Sequence, residues 1–154
     1  MKGDSKTIQL LNKALYNELT AINQYYMHAK ILQDLGFQKL AAKEKEESID
    51  EMKHADVLME RILFLDGLPN LQQLGKLRIG ETPIEMLRCD LALEHEALVD
   101  LKDGIEYCES IRDYISRDLF QKILDSEEEH VDWLETQLGL IKQVGEANYL
   151  QSQM

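Results

Sequence analysis

The apolar positions of this chain recur with a helical period. Ile8, Leu11, Leu15, Ile22, Tyr25, Ala29 and Leu32 follow a three-then-four alternation that lines one face of a helix, and position 18 is the only non-apolar member of the series. A first helix is predicted over 5–35, opened by Asp4 or Ser5 as N-cap and closed by Gly36, which suits the left-handed residue after a helix end. A second is predicted over 39–65, with Ile62 and Leu65 inward and Gly67 and Pro69 stopping it. Thr82 and Pro83 read as N-cap and first residue of a third helix, where the alternation returns at Ile84, Leu87, Leu91, position 94, Leu98, Leu101, Ile105 and Cys108. A fourth is predicted over 113–138, with Phe120, Ile123 and Leu134 inward. Beyond Gly139 and Gly145, Ala147 to Gln151 allows one or two further turns, too short to persist without a docking surface.

Residues 66–82, with Gly67, Pro69, Gly75 and Gly80, are too many for a hairpin turn and enough to cross the length of a bundle. The expected fold is therefore all-α: an antiparallel four-helix bundle with a long crossover between the second and third helices and a short C-terminal fifth helix. Residues 1–154 are expected to form it as a single domain.

Composition sharpens this picture. Charged residues make up 30% and aromatics 6% of the chain, a helix-rich profile. A formal net charge of −12 without clustered Lys and Arg excludes nucleic acid and anionic membranes as partners and favours cations. No run approaches the eighteen apolar residues of a membrane span, and the first residues lack the charged, apolar, small order of a signal peptide, so a cytoplasmic location is expected. Cys89 and Cys108 match no common zinc or thioredoxin-like spacing and are read as reduced, packed residues.

The chemistry lies where the apolar series breaks. Glu18 and Glu94 each occupy a core slot, a costly place for a charge. The inward face of the second helix contains Glu51, His54, Leu58 and Leu65, and that of the fourth contains Phe120, Ile123, Glu127, His130 and Leu134, so each presents Glu-x-x-His to the core. Glu18 to Glu51 and Glu94 to Glu127 are equal intervals of 33 residues, as an internal duplication of a helical hairpin would give. Each lone Glu lies about as far before its turn as Glu-x-x-His lies after it, so at ~1.5 Å rise per residue the six groups meet at one level. Four carboxylates and two imidazoles in a low-dielectric interior call for cations of total charge near four, which two divalent metals supply. Mixed carboxylate and imidazole ligation suits iron, with manganese next; structural zinc would recruit Cys, and calcium rarely uses His.

Simpler explanations account for the remaining residues. One Glu-x-x-His alone is a weak signal, but two in register are not. Arg61 and Lys53 are the nearest cations and are too few for four carboxylates. His28 and His95 lie outside the repeated slots and are read as surface or boundary imidazoles without a role. Glu44 to Glu47, with Lys45 inside, and Glu127 to Glu129 read as solvated faces, Glu127 excepted. Met52 points roughly 100° away from Glu51, onto another face.

Two lone Glu residues and two Glu-x-x-His pairs are the arrangement on which ferritin-like di-iron proteins are built. The chain closely resembles the bacterioferritin family over essentially its whole length, through Met1-Lys2-Gly3-Asp4, Asn17-Glu18-Leu19, Ala21-Ile22-Asn23-Gln24-Tyr25, Glu51-Met52-Lys53-His54-Ala55-Asp56, Glu127-Glu128-Glu129-His130 and Asn148-Tyr149-Leu150-Gln151. The resemblance implies iron storage and detoxification by a ferroxidase: Fe(II) is oxidised to Fe(III) by dioxygen or peroxide at an intra-subunit di-iron centre, and ferric mineral is stored in a homo-oligomeric shell of 24 subunits. It implies haem b held axially by Met52 and its copy across a two-fold interface. It also implies haem-mediated iron release to a bacterioferritin-associated ferredoxin docking at Leu68, Glu81 and Glu85.

The chain departs from the family at three places. Many members carry an aromatic at position 45 and His at 46, where Lys45 and Glu46 stand here; the first bears on the haem surroundings and the second on an inner-surface iron ligand. Leu58 replaces the Tyr of some members, leaving Tyr25 and Trp133 as the redox-capable side chains near the metals.

The expected division is Glu18, Glu51 and His54 on one iron and Glu94, Glu127 and His130 on the other, with Glu51 and Glu127 bridging. The competing readings are a haem-free ferritin with the same chemistry, a substrate-oxidising di-iron oxygenase, and a helical scaffold whose metals only hold the bundle together. A rubrerythrin-type peroxidase is excluded, because two distant cysteines cannot build its Cys-rich iron domain.

Overall fold

A computed structural model describes residues 1–154, and its helices follow the hydrophobic pattern: α1 (Ser5–Leu35), α2 (Gln38–Phe64), α3 (Pro83–Ser110), α4 (Tyr114–Val144) and α5 (Glu146–Ser152). Asp4 caps α1, accepting from the Lys6 and Thr7 N–H groups at 3.1 and 3.0 Å. Gly36, at φ 94°, closes α1 while Phe37 N–H returns to the Leu32 carbonyl at 3.0 Å. Thr82 Oγ1 accepts from Glu85 N–H at 3.2 Å, and the Glu85 carboxylate accepts from Glu81 N–H at 2.9 Å, fixing the start of α3. α4 runs six residues past its expected end at 138. Gly139 sits inside it, and Leu138 and Ile141 beyond or beside that glycine pack on the core, so tertiary contact outweighs the glycine's low helix propensity.

Side-chain pairs fix the helix directions. Between α1 and α3, Asn17 meets Asp100, Tyr25 meets Glu94 and His28 meets Asp90, so numbers rise on one helix as they fall on the other. Between α2 and α4, Glu47 faces His130, His54 faces Glu127 and Arg61 faces Asp113, again antiparallel. The crossover runs alongside α1. Asn70 N–H donates to Asn12, Gly75 N–H to Thr20, Arg78 N–H to Gln24 and Gly80 N–H to His28, so seventeen residues of irregular backbone (66–82) travel the bundle's length and α3 starts at the opposite end.

The interior is layered. An apolar cluster that includes Leu11, Leu15, Leu58, Ile62, Leu101, Phe120 and Ile123 fills one end, and another with Leu32, Leu40, Met86, Leu87, Leu134 and Tyr149 fills the other. Buried polar side chains form the middle. α5 is held by Tyr149, whose hydroxyl donates to buried Gln137 at 2.7 Å, so the docking surface of this short helix lies within the same chain.

Two expectations fail here. Glu44 and Glu47 are 2% and 7% exposed: with Leu40, Ala41, Ser48 and Glu51 they lie on the inward stripe of α2, and the solvated part of that run is Lys45 and Glu46. His28 is fully buried, one position before Ala29 on the wide inward face of α1, whereas His95 is exposed as expected.

Candidate metal centre

The six expected side chains converge between the two apolar clusters. Glu18, Glu51, Glu94, Glu127 and His130 are each at most 3% exposed and His54 is half-buried. Glu18, Glu51, His54 and Glu127 bring ligand atoms within 4.8 Å of one another, and so do Glu94, Glu127 and His130. Glu127 belongs to both groups; Glu51 belongs to the first alone, so of the two carboxylates expected to bridge, only Glu127 is positioned between the groups. His54 Nδ1 lies 3.1, 3.6 and 3.8 Å from oxygens of Glu127, Glu18 and Glu51, and His130 Nδ1 lies 3.2 Å from Glu94.

These contacts leave the polar atoms unsatisfied. Glu18 Oε2, Glu94 Oε2, both Glu127 carboxylate oxygens and His54 Nδ1 have no hydrogen-bond partner. Burial pushes the carboxyls of Glu18, Glu94 and Glu127 upward, and the neighbouring carboxylate Glu127 raises Glu94 further. For His54, burial acts downward but Glu127 and Glu18 outweigh it and hold the imidazole up at about 10; His130 is raised against burial by Glu94. Without metal, protons do the neutralising. Bare, buried, mutually facing oxygen and nitrogen donors are what paired divalent cations would satisfy, so the donor set fits a di-iron group.

Two aromatic rings press on His130: Tyr25 edge-on with centroids 5.2 Å apart, and Trp133 stacked at 6.3 Å. The buried Tyr25 hydroxyl also donates to Glu94. Leu58 is fully buried in the apolar cluster with Leu15, Ile62 and Phe120. The suggested cationic partners are elsewhere: Arg61 binds Asp113 and Ser116 at the start of α4, and Lys53 is exposed beside Asp50. Sequence reading missed Glu47, whose Oε2 is 3.5 Å from His130 Nδ1, together with Glu44, Gln24, His28 and Asp90. A three-and-four spacing from Glu44 through Glu47 to Glu51 was the available signal, obscured by the exposed Lys45 and Glu46 between them.

Met52 is 45% exposed on the outer face of α2, one turn from exposed Ile49, while Tyr26 and Met27 are exposed on α1. The Met52 thioether therefore lies on a partly apolar outer face. Leu68 is 82% exposed, and Glu81 and Glu85 are exposed, although Glu85 is engaged in capping α3. Cys108 is buried and Cys89 partly so, both as free thiols. No helix is long and apolar enough to cross a membrane.

The family model of the ferritin-like domain matches residues 8–144. Among curated proteins, the bacterioferritin of Rhodobacter capsulatus is 52% identical over 145 residues, covering 94% of this chain and 90% of that one. The bacterioferritin of Brucella melitensis is 49% identical over 149 residues, covering 97% and 92%. A bacterial ferritin of Synechocystis is 48% identical over 155 residues, covering 100% and 99%.

Proposed function

The chain belongs to the ferritin family, in its bacterioferritin branch, and we propose that it stores iron by oxidising Fe(II) at the centre made by Glu18, Glu51, His54, Glu94, Glu127 and His130. The observation that carries this reading is the set of buried ligand atoms without partners, carboxylate oxygens of Glu18, Glu94 and Glu127 and Nδ1 of His54, one helix of the bundle supplying each residue. Fe(II) is the substrate. Two ferrous ions held side by side deliver two electrons together to dioxygen or peroxide, which avoids releasing a one-electron product. Glu18, Glu51 and His54 bind one ion, Glu94 and His130 the other, and Glu127 reaches both. Protons held on the raised carboxyls and on the two imidazoles leave as each ion enters, keeping the interior near neutral. Tyr25 and Trp133, packed on His130, are placed to supply or quench single electrons during turnover.

The remaining parts of the reading follow the family. Residues 1–154 act as one domain, 24 copies close into a cytoplasmic shell, and ferric mineral accumulates inside. Met52 holds haem b with its copy, and bound haem supplies an electron path for iron release to a ferredoxin at Leu68, Glu81 and Glu85. Aerobic addition of Fe(II) to the purified protein, with the visible spectrum recorded alongside sizing, tests iron oxidation, haem and assembly together. Ferric absorbance growth, a Soret band and a particle of many subunits are expected. Ferric growth without a Soret band would leave a haem-free ferritin, and oxidation of an added organic substrate without ferric accumulation would point to an oxygenase.

A further inference from the structure

A second buried polar level lies seven residues before Glu51 on α2 and four before Glu94 on α3. Gln24 and His28 of α1, Glu44 of α2 and Asp90 of α3 meet there, each at most 2% exposed. Asp90 Oδ1 accepts hydrogen bonds from Gln24 Nε2 and His28 Nδ1, both at 2.9 Å. The crossover sets these two donors from behind: Arg78 N–H donates to Gln24 Oε1 at 3.0 Å and Gly80 N–H to His28 Nε2 at 3.1 Å. Gly80 itself lies against the first turn of α3, where an added Cβ would come within 2.3 Å of Met86 N. An acceptor at Nε2 puts the ring proton of His28 on Nδ1, so His28 is a donor to Asp90 and not itself a ligand.

Two donors thus occupy Asp90 Oδ1 and leave three buried oxygens, Asp90 Oδ2 and both of Glu44, with no hydrogen-bond partner. Ligand atoms of His28, Glu44 and Asp90 lie within 4.8 Å of one another, in a group separate from the six-residue centre. A proton shared between the two carboxyls satisfies two of the three oxygens and leaves the third bare in a dry interior. One doubly charged cation touching all three satisfies every atom and cancels both charges.

We propose that Glu44 and Asp90 hold a divalent cation at a third buried site, Glu44 with both oxygens and Asp90 with Oδ2. Gln24 and His28 are positioning residues that aim Asp90. Oxygen-only ligation selects a hard ion of the manganese(II) or iron(II) kind over zinc. Glu47, one turn after Glu44 and 3.5 Å from His130 Nδ1, stands between this site and the centre. The site does not depend on whether the centre oxidises iron.

Crystals of the whole protein soaked in manganese(II) chloride alone, with anomalous scattering measured at the manganese edge, test it. Three manganese positions per subunit are expected in the unaltered protein, and two in Glu44→Gln and, independently, in Asp90→Asn. Two positions in the unaltered protein, with nothing between Glu44 and Asp90, mean a shared proton only and overturn the site while leaving the centre standing. A third position that persists in both variants also overturns it. Manganese at neither level would contradict the six-ligand centre as well.

Discussion

Glu94 shows how one residue trades stability against function. In the metal-free protein its carboxyl is raised well above the usual range by burial and by Glu127, which favours the neutral form, and glutamine imitates that form. Glu94→Gln is therefore expected to leave metal-free stability within about 0.5 kcal/mol. Metal affinity should fall at least about tenfold, because the substitute cannot supply the charge. Thermal unfolding and manganese(II) titration of the same sample check both halves. His54 gives a pH dependence. Its folded value of about 10 lies above the ordinary 6.5, so its contribution is complete below 6.5 and is lost as pH rises through about 10. The raised carboxyls of Glu18, Glu94 and Glu127 act in the same direction, each favouring the fold below its ordinary value of 4.5 and less as pH rises. The melting temperature of metal-free protein should therefore fall between pH 6.5 and 10, and manganese(II) should flatten that fall, since the ions replace the protons. At this scale the sequence revealed the six converging side chains because each stands in an apolar series. It concealed His28 and Glu44, whose burial depends on partners in α3 and the crossover that no helical period reports.

Helix boundaries depended on whether the ending was local. Asp4, Gly36, Thr82 and Pro83 act through their own backbone neighbours, so the ends of α1 and the start of α3 were legible. The end of α4 was not, because Gly139 breaks a helix only when packing does not hold it, and α5 docks there through Tyr149. The two glycines should respond oppositely to alanine. Gly36 has φ 94°, so Gly36→Ala should cost about 1 kcal/mol. Gly139 is helical with nothing within 4 Å of an added Cβ, so Gly139→Ala should gain about 0.5–1 kcal/mol. Chemical denaturation of the two variants at matched protein concentration checks the pair. Equal signs would show that assembly, not local backbone preference, governs these ends.

At the scale of the whole molecule, the chain keeps apolar groups outside as well as inside. Tyr26, Met27, Ile49, Met52 and Val57 are exposed on α1 and α2, and Leu63, Phe64, Leu68, Leu71 and Leu74 near the end of α2 and on the crossover. Surface of this kind is what subunit assembly covers. Met52→Leu keeps the apolar volume and removes the sulfur proposed to hold haem, so it should abolish a Soret band and leave particle size and Fe(II) oxidation unchanged. A loss of assembly in that variant would reassign Met52 to packing. Helical periodicity separated inward from outward faces, but it holds no record of which outward face meets another copy, so the expectations of a shell and of haem rest on resemblance alone.

The account rests on two ions being bound together by groups from all four long helices. Stepwise anaerobic addition of Fe(II) to metal-free protein, followed by mixing with dioxygen, measures this most directly through the amplitude of the fast ferric absorbance. That amplitude should rise as the two ions of the centre are bound and level off by three ions per subunit, the third being held by Glu44 and Asp90, and it should disappear in Glu18→Ala. An amplitude that keeps rising beyond three, or that survives the loss of Glu18, would contradict the centre described here.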